Sequence, residues 1–244
     1  MRKRTDPLLC ELHAHTTWSD GALTVRELVD LYGARGFDVL CVTDHAVRSD
    51  DPWLDPVEWA SRGIRREVHA AYVAEILREA ARARATYDLL VLPGVELTYN
   101  ADEVNEAAHA VAVGLTSFVS VDDGIDGAME TARAAGAAII AAHPFDDEPW
   151  ANRSRLTRRF AADPGLRLLA HRFELFNRET LFRWVAREGL PAVACGDFHE
   201  IEHLAGWKTL LPCPKDAEAV LAYLRSSRPA YLTRLEDERA LRAA

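Results

Sequence analysis

No two of the four cysteines (Cys10, Cys41, Cys195, Cys213) form a C-x-x-C pair, which removes the usual signature of a zinc ribbon or a dithiol redox site. They read as reduced thiols in the core of a cytoplasmic protein. Uninterrupted apolar stretches are also missing. After the basic start Met1-Arg2-Lys3-Arg4, the first apolar run is broken by Glu11 and His13, so the sequence predicts neither an export signal nor a membrane span. Positive charge is in deficit, with a formal net charge of -9, which argues against an extended nucleic-acid-binding surface. Lysine is scarce: Lys3, Lys208 and Lys215 are the only three. No internal repeat, low-complexity tract or linker divides the chain.

What is present is an ordinary globular composition, 49% hydrophobic and 27% charged over 244 residues. That length suits a single domain over 1–244, because strand-and-helix barrels commonly use about 250 residues around one core. Short runs rich in Val, Leu and Ile predict buried parallel strands at Leu8 to Thr16, Phe37 to Thr43, Leu89 to Leu97, His109 to Leu115, Ala137 to Ala142, Arg172 to Phe176 and Pro191 to Gly196. A further short strand is expected near Trp207 to Leu211. Thr24 and Glu27 have the spacing of a capping box ahead of Val25, Leu28, Val29 and Tyr32, and predict a helix. Others are expected over about 66–86, 123–135, 152–162, 179–188 and 215–226. The segment from Val47 to Gly63, with Trp53 and Trp59, lacks a period and reads as a long loop, and the short polar stretch from Thr98 to Ala108 reads as a connection without a proper helix.

The histidines and carboxylates fall at strand ends. His13 and His15 close the first candidate strand, with Asp20 shortly after; Asp44 and His45 follow the second; Glu96 ends the third; His143 follows the fifth; Asp197 and His199 follow the seventh. His109 is the exception, since it opens its strand. In a parallel barrel the C-terminal strand ends converge on one face, so these separated segments would share a pocket. Residues two apart in a strand face the same side, which lets His13 act with His15 and Asp197 with His199.

Imidazole and carboxylate together suit Mn, Zn or Fe better than Mg or Ca. Two or three such divalent ions would clamp a phosphate and generate hydroxide near neutral pH, and Glu96 could bridge them. Formal counting agrees: three ions supply about +6 and Asp20, Glu96 and Asp197 return about -3, an excess suited to an anion. The candidate catalytic groups are Asp20, His45, Glu96 and His199. Arg48 and Arg178 are candidate phosphate clamps because guanidinium matches phosphate bidentately, and Trp18 is a candidate substrate wall or a cover for the barrel mouth. His69, on a predicted helix, is expected at the surface, and His171 and His203 are expected to hold no metal.

With the motifs His13-Ala14-His15, Thr43-Asp44-His45, Gly94-Val95-Glu96, His143-Pro144 and Gly196-Asp197-Phe198-His199 in order, the sequence resembles the PHP family, named for polymerase and histidinol phosphatase domains. The resemblance implies an α/β fold, a distorted (β/α)7 TIM-like barrel, and a trinuclear metal site. It implies His13, His15, Glu96 and Asp197 as one set of ligands, Asp20, His45 and His199 as a second, and Glu96, His109 and His143 as a third. Asp44 would orient metal-bound imidazoles from behind. Within the family the chain is similar to stand-alone phosphoesterases that take small phosphate esters, including nucleotides and short oligonucleotides. It departs from the nucleoside bisphosphate phosphatases in having only 33 residues (110 to 142) between His109 and His143.

Two other functions compete. An amidohydrolase-type C–N hydrolase also opens with H-x-H, but commonly bridges its metals with a modified lysine at a central strand end, and none of the three lysines is expected there. A non-catalytic module of the same family would be expected to have lost ligands, and here the set is complete.

Overall fold

The computed structural model describes residues 6–52, 63–103, 105–145 and 157–236. Trp53, Trp59 and most of the expected 47–63 loop lie outside the described residues, as does the first part of the helix expected over 152–162.

All seven expected strands form, most of them shorter than the apolar runs. They are β1 (Leu8–Glu11), β2 (Val39–Val42), β4 (Leu90–Tyr99), β5 (Ala108–Val113), β6 (Ala138–Ala142), β7 (Arg172–Asn177) and β9 (Ala192–Cys195). The strand expected near Trp207 is β10 (Gly206–Leu211). Sequence patterning missed β3 (His45–Val47), β8 (Thr180–Leu181) and β11 (Tyr231–Leu235), which are short or partly exposed and so carry little hydrophobic signal. The helices are α1 (Val25–Ala34), α2 (Arg66–Tyr87), α3 (Ile125–Ala134), the single turns α4 (Arg159–Ala162) and α5 (Pro164–Arg167), then α6 (Arg183–Arg187) and α7 (Ala217–Arg225). At α1 the capping box is made: Thr24 Oγ1 accepts from Glu27 N–H, and Glu27 Oε2 accepts from Thr24 N–H at 2.9 Å.

The strands form a curled sheet in the order β11-β10-β1-β2-β4-β5-β6-β7-β8, with β3 on β4 and β9 on β7. The expected all-parallel arrangement is not what forms. β1, β2 and β4 run parallel, as do β6, β7 and β9, but β5 is antiparallel to both β4 and β6. The cause is the short connection after Tyr99, which has no helix among its described residues; a chain that must return without a crossover can only pair antiparallel. β10 is likewise antiparallel to β1. The segments that follow β1 and β9 meet where Ala14 bridges Phe198: His15 N–H donates to Phe198 O at 2.8 Å, and Phe198 N–H to His13 O at 3.2 Å.

The reversed direction of β5 explains the exceptional histidine. Because β5 starts where β4 ends, His109 faces Thr98 on one side and Ala142 on the other, at the same end of the sheet as the C-terminal ends of β4 and β6. Alternate strand residues divide into two apolar groups. Cys10, Leu12, Cys41, Val111, Ile140 and Cys195 pack together with α7, while Leu40, Val42, Val95, Ala110 and Phe173 pack with the other helices. Three of the four cysteines are therefore buried thiols; Cys213 is only half-buried.

Candidate metal centre

His13, His15, Asp20, His45, Glu96, His109, His143, Asp197 and His199 come together at one end of the curled sheet. Donor atoms fall into three groups: His15, Asp20, His45 and His199; His13, His15 and Asp197; and Glu96, His109 and His143. His13 Nε2 and His15 Nε2 are 2.9 Å apart. Glu96 Oε2 stands 3.5 Å from each of them, and Asp197 Oδ1 3.6 and 3.4 Å. Four donors around one ion at ordinary Zn–N and Zn–O lengths would be about 3.4 Å apart, so the spacing fits a shared cation. Asp20 Oδ1 lies 3.2 Å from His199 Nε2, 3.5 Å from His45 Nε2 and 3.8 Å from His15 Nδ1. Glu96 Oε1 is 3.2 Å from His109 Nδ1 and 3.1 Å from His143 Nε2. Glu96 thus turns one oxygen to each of two groups.

The partners on the far side of the rings decide what faces inward. His13 Nδ1–H donates to Glu174 Oε1 at 2.9 Å, His45 Nδ1–H to Thr98 Oγ1 at 2.8 Å, His109 Nε2–H to Asn100 Oδ1 at 2.9 Å and His199 Nδ1–H to Asp197 O at 3.0 Å. With a proton on the outward nitrogen, each ring turns its other nitrogen into the cluster, where carboxylates also converge. Glu96 Oε2 is fully buried and accepts no hydrogen bond. His45 Nδ1 is 2.8 Å from it, but the ring proton is directed at Thr98. Nitrogens and carboxylates packed this closely, with a buried oxygen unsatisfied, cost several kcal/mol unless protons or a metal cation neutralise the charge. The donor set therefore fits divalent transition ions.

Burial alone would lower the His13, His45, His143 and His199 pKa values, but the neighbouring carboxylates raise all four, so without metal these rings hold protons that a cation would displace. Burial and the neighbouring charges of His45 and His199 push the His15 pKa down to about 3, keeping its ring neutral. Burial alone would raise the Glu96 and Asp197 pKa values, but the surrounding histidines hold both well below the usual carboxylate range. His143 (φ 30°) and Asp197 (φ 44°) occupy the left-handed region. Both are over-determined: His143 N–H donates to Glu174 Oε2 while its carbonyl accepts from the Thr157 hydroxyl, and Asp197 O accepts from Arg178 Nη2 at 2.8 Å. Strain of this kind persists where the surroundings fix it, and concentrates at functional sites. A Cβ at Gly196 would collide with the Glu11 carboxylate and the Lys208 ammonium, which is why glycine precedes Asp197.

The other expected residues land differently. Arg178 reaches the centre, but its guanidinium is engaged with Asp197, donating to Asp197 O at 2.8 Å and to Oδ2 at 3.3 Å, so it braces that carboxylate. Arg48 is held in a fork by Asp50, at 2.7 and 2.8 Å, and lies over the Tyr99 ring. As a phosphate clamp it would first have to leave that pair. Trp18 turns to α2, with Nε1–H on Glu75 at 2.9 Å and its ring edge-on to Tyr72. Asp44 touches no imidazole directly; it accepts from Thr16 N–H, Thr16 Oγ1–H and Ser19 Oγ–H at 2.6–2.8 Å and so shapes the turn carrying Asp20. Ser19 Oγ then stands 3.4 Å from His15 Nδ1.

Among the bystanders, His69 is buried against Phe118 and Tyr72, correcting the expectation of a surface site. His203 Nδ1 accepts from His199 N–H. Lys208 also departs from expectation: it is fully buried on β10 beside β1, at 2.9 Å from Glu11 Oε2. That ion pair occupies the amine, while Glu96 sits between the ligand groups where an amidohydrolase would place its modified lysine. Sequence reasoning missed Glu174, Thr98, Asn100 and Glu11. Glu174 did leave a signal, a carboxylate inside the apolar run Arg172-Phe173-Glu174-Leu175, where burial without a partner would be costly.

A family model described as the PHP domain matches residues 11–146. The DNA polymerase/3'-5' exonuclease PolX of Bacillus subtilis is 24% identical over 212 residues, covering 82% of this chain and 35% of that protein. The 3',5'-nucleoside bisphosphate phosphatase of Chromobacterium violaceum is 27% identical over 212 residues, covering 81% of this chain and 61% of that protein. The chain thus spans about a third and about three-fifths of these relatives' lengths. Among solved structures, a two-domain protein from Bacteroides vulgatus containing a predicted PHP-like metal-dependent phosphoesterase superposes with a TM-score of 0.66 at 16% identity, covering 99% of this chain and 73% of that one. An amidohydrolase from Chromobacterium violaceum superposes with a TM-score of 0.55 at 18% identity, covering 94% and 99%.

Proposed function

The chain belongs to the PHP domain family, and from that membership we propose that it is a metal-dependent phosphoesterase acting on a small phosphate ester, a nucleotide or short oligonucleotide being the class in view. The observation that carries the reading is the inward convergence of imidazole nitrogens and carboxylates around the buried, unsatisfied Glu96 Oε2. His13, His15, Glu96 and Asp197 would hold one ion, Asp20, His45 and His199 a second, and Glu96, His109 and His143 a third. The distorted (β/α)7 description and a single domain over 1–244 belong to the same proposal.

Mn, Zn or Fe ions, when bound, would supply Lewis-acid stabilisation of the phosphoryl oxygens and activation of water. The protein's own part is positional. Thr98, Asn100 and Glu174 fix the rings behind the ligands, which keeps one nitrogen of each available. Arg178 braces Asp197 at the mouth. No side-chain nucleophile is needed. The similarity to a nucleoside bisphosphate phosphatase supports a small phosphorylated substrate, and the net charge of -9 does not favour a long nucleic acid. No helix among the described residues is long and apolar enough to cross a membrane.

The test is a panel of phosphomonoesters, phosphodiesters and nucleoside bisphosphates, offered to protein loaded with Mn, Zn or Fe. His15→Ala and Asp197→Ala are each expected to lower kcat/KM on the best substrate by at least about 100-fold, the scale on which ligand-shell disruption acts. Wild-type rates in either variant, or fewer than two metal equivalents in loaded wild type, would refute the reading.

A further inference from the structure

Resting on the metal-binding reading above, we propose that Glu174 is a positioning carboxylate that sets the ring tautomer of His13 and ties the His13 group of ligands to the His143 group. Glu174 lies on β7, fully buried, and belongs to none of the three donor groups. Its two oxygens are divided. Oε1 accepts from His13 Nδ1–H at 2.9 Å, while Oε2 accepts from the backbone N–H of His143 at 2.7 Å and from Asn177 Nδ2–H at 2.8 Å. All three neighbours act as donors, and only a carboxylate offers acceptors at both ends.

That division gives the residue a role beyond packing. With its proton held on Nδ1, His13 presents an unprotonated Nε2 to His15 Nε2, Glu96 and Asp197, the atoms gathered around it. The second oxygen anchors His143 where its backbone enters the left-handed region, immediately after the end of β6. One carboxylate therefore orients a ligand ring in one group and places the chain of a ligand in another, 130 residues further along. A hydrogen-bonded carboxylate behind a metal-bound imidazole is a recurrent device for fixing its tautomer and basicity.

Glu174→Gln separates this role from bulk. The glutamine has the same shape but only one acceptor end. The backbone N–H of His143 cannot reverse, so it draws the amide oxygen to itself and turns the NH2 group toward His13 Nδ1. His13 must then accept at Nδ1 and carry its proton on Nε2, the nitrogen that faces the cluster. The group of Glu96, His109 and His143 keeps all its contacts.

The experiment is zinc loading of wild type and Glu174→Gln, read by chelator competition and by NMR of the histidine ring protons. Wild type should bind at least two equivalents and show a downfield Nδ1–H signal that disappears in His13→Ala. Glu174→Gln should lose that signal and bind one equivalent about 10- to 100-fold more weakly, the remaining zinc being held as in wild type. Its melting temperature without metal should stay close to that of wild type, a result that a merely structural role would not give. The inference is overturned if loaded wild type lacks the Nδ1–H signal, if Glu174→Gln binds zinc like wild type, or if it weakens every equivalent alike. Failure of wild type itself to take up two equivalents would instead refute the metal reading.

Discussion

Lys208→Met tests how the sheet holds the centre together. Lys208 and Glu11 are both fully buried and 2.9 Å apart, with the pair placed where β1, β9 and β10 meet. Removing one partner of a buried ion pair costs about 3–5 kcal/mol, because the other charge is left without compensation. Here the remaining carboxylate keeps hydrogen bonds from Gly196 N–H at 2.8 Å, Leu12 N–H at 3.1 Å and the Tyr32 hydroxyl at 3.2 Å. These place the expected cost at the lower end, about 3 kcal/mol. For a chain of this size each kcal/mol lowers Tm by about 2–4 °C, so a fall of about 6–12 °C is expected. The assay is thermal unfolding by circular dichroism on metal-stripped protein, so that metal affinity does not enter. The double variant Glu11→Gln/Lys208→Met should recover at least half of the loss, since no buried charge remains. A drop of under about 3 °C in the single variant would show that the pair contributes little.

Two further outcomes follow from contacts behind the ligands and from a half-buried histidine. Thr98→Val removes the acceptor for His45 Nδ1–H and should weaken one metal equivalent about 10- to 100-fold in chelator competition, with little change in metal-free Tm; unchanged affinity would remove Thr98 from the scheme. His171 has its pKa pushed down from 6.5 to about 4, by burial first and then by Arg133, Arg225 and Arg172. Between those values the unfolded chain binds more protons than the folded one, so the stability of the neutral ring is fully present above about 6.5 and is lost as pH falls toward 4. After allowance for solvent screening at a half-buried site, the loss should be about 1–2 kcal/mol. Denaturant melts at pH 7 and pH 5 should show a smaller decline in His171→Gln than in wild type, and equal declines would contradict the assignment.

Much of the centre was legible in the sequence because its ligands come in local patterns. His13-Ala14-His15 and Asp197-Phe198-His199 each place two donors on one side of an extended chain, and a polar residue ending an apolar run is visible without any tertiary information. The nine candidate residues, His109 included, fall into three neighbouring groups of donor atoms. The residues behind them were not legible, since Thr98, Asn100 and Glu174 acquire their roles only from which ring lies opposite. The contacts of Trp18 with Glu75 and of Arg48 with Asp50 were likewise not legible, since each depends on which side chain the fold sets beside it.

By itself the sequence determined the strand cores, the capped helix after Thr24 and the candidate metal-binding groups, all set by residue chemistry and short-range spacing. Only the tertiary structure decided the direction of β5, the burial of Lys208 against Glu11, and the partners behind the histidine rings. Strand direction depends on where a connection can return, and a tautomer depends on a partner far away in the chain. His109 joins both: a strand-opening histidine becomes a candidate ligand because an antiparallel strand starts where its parallel neighbours end.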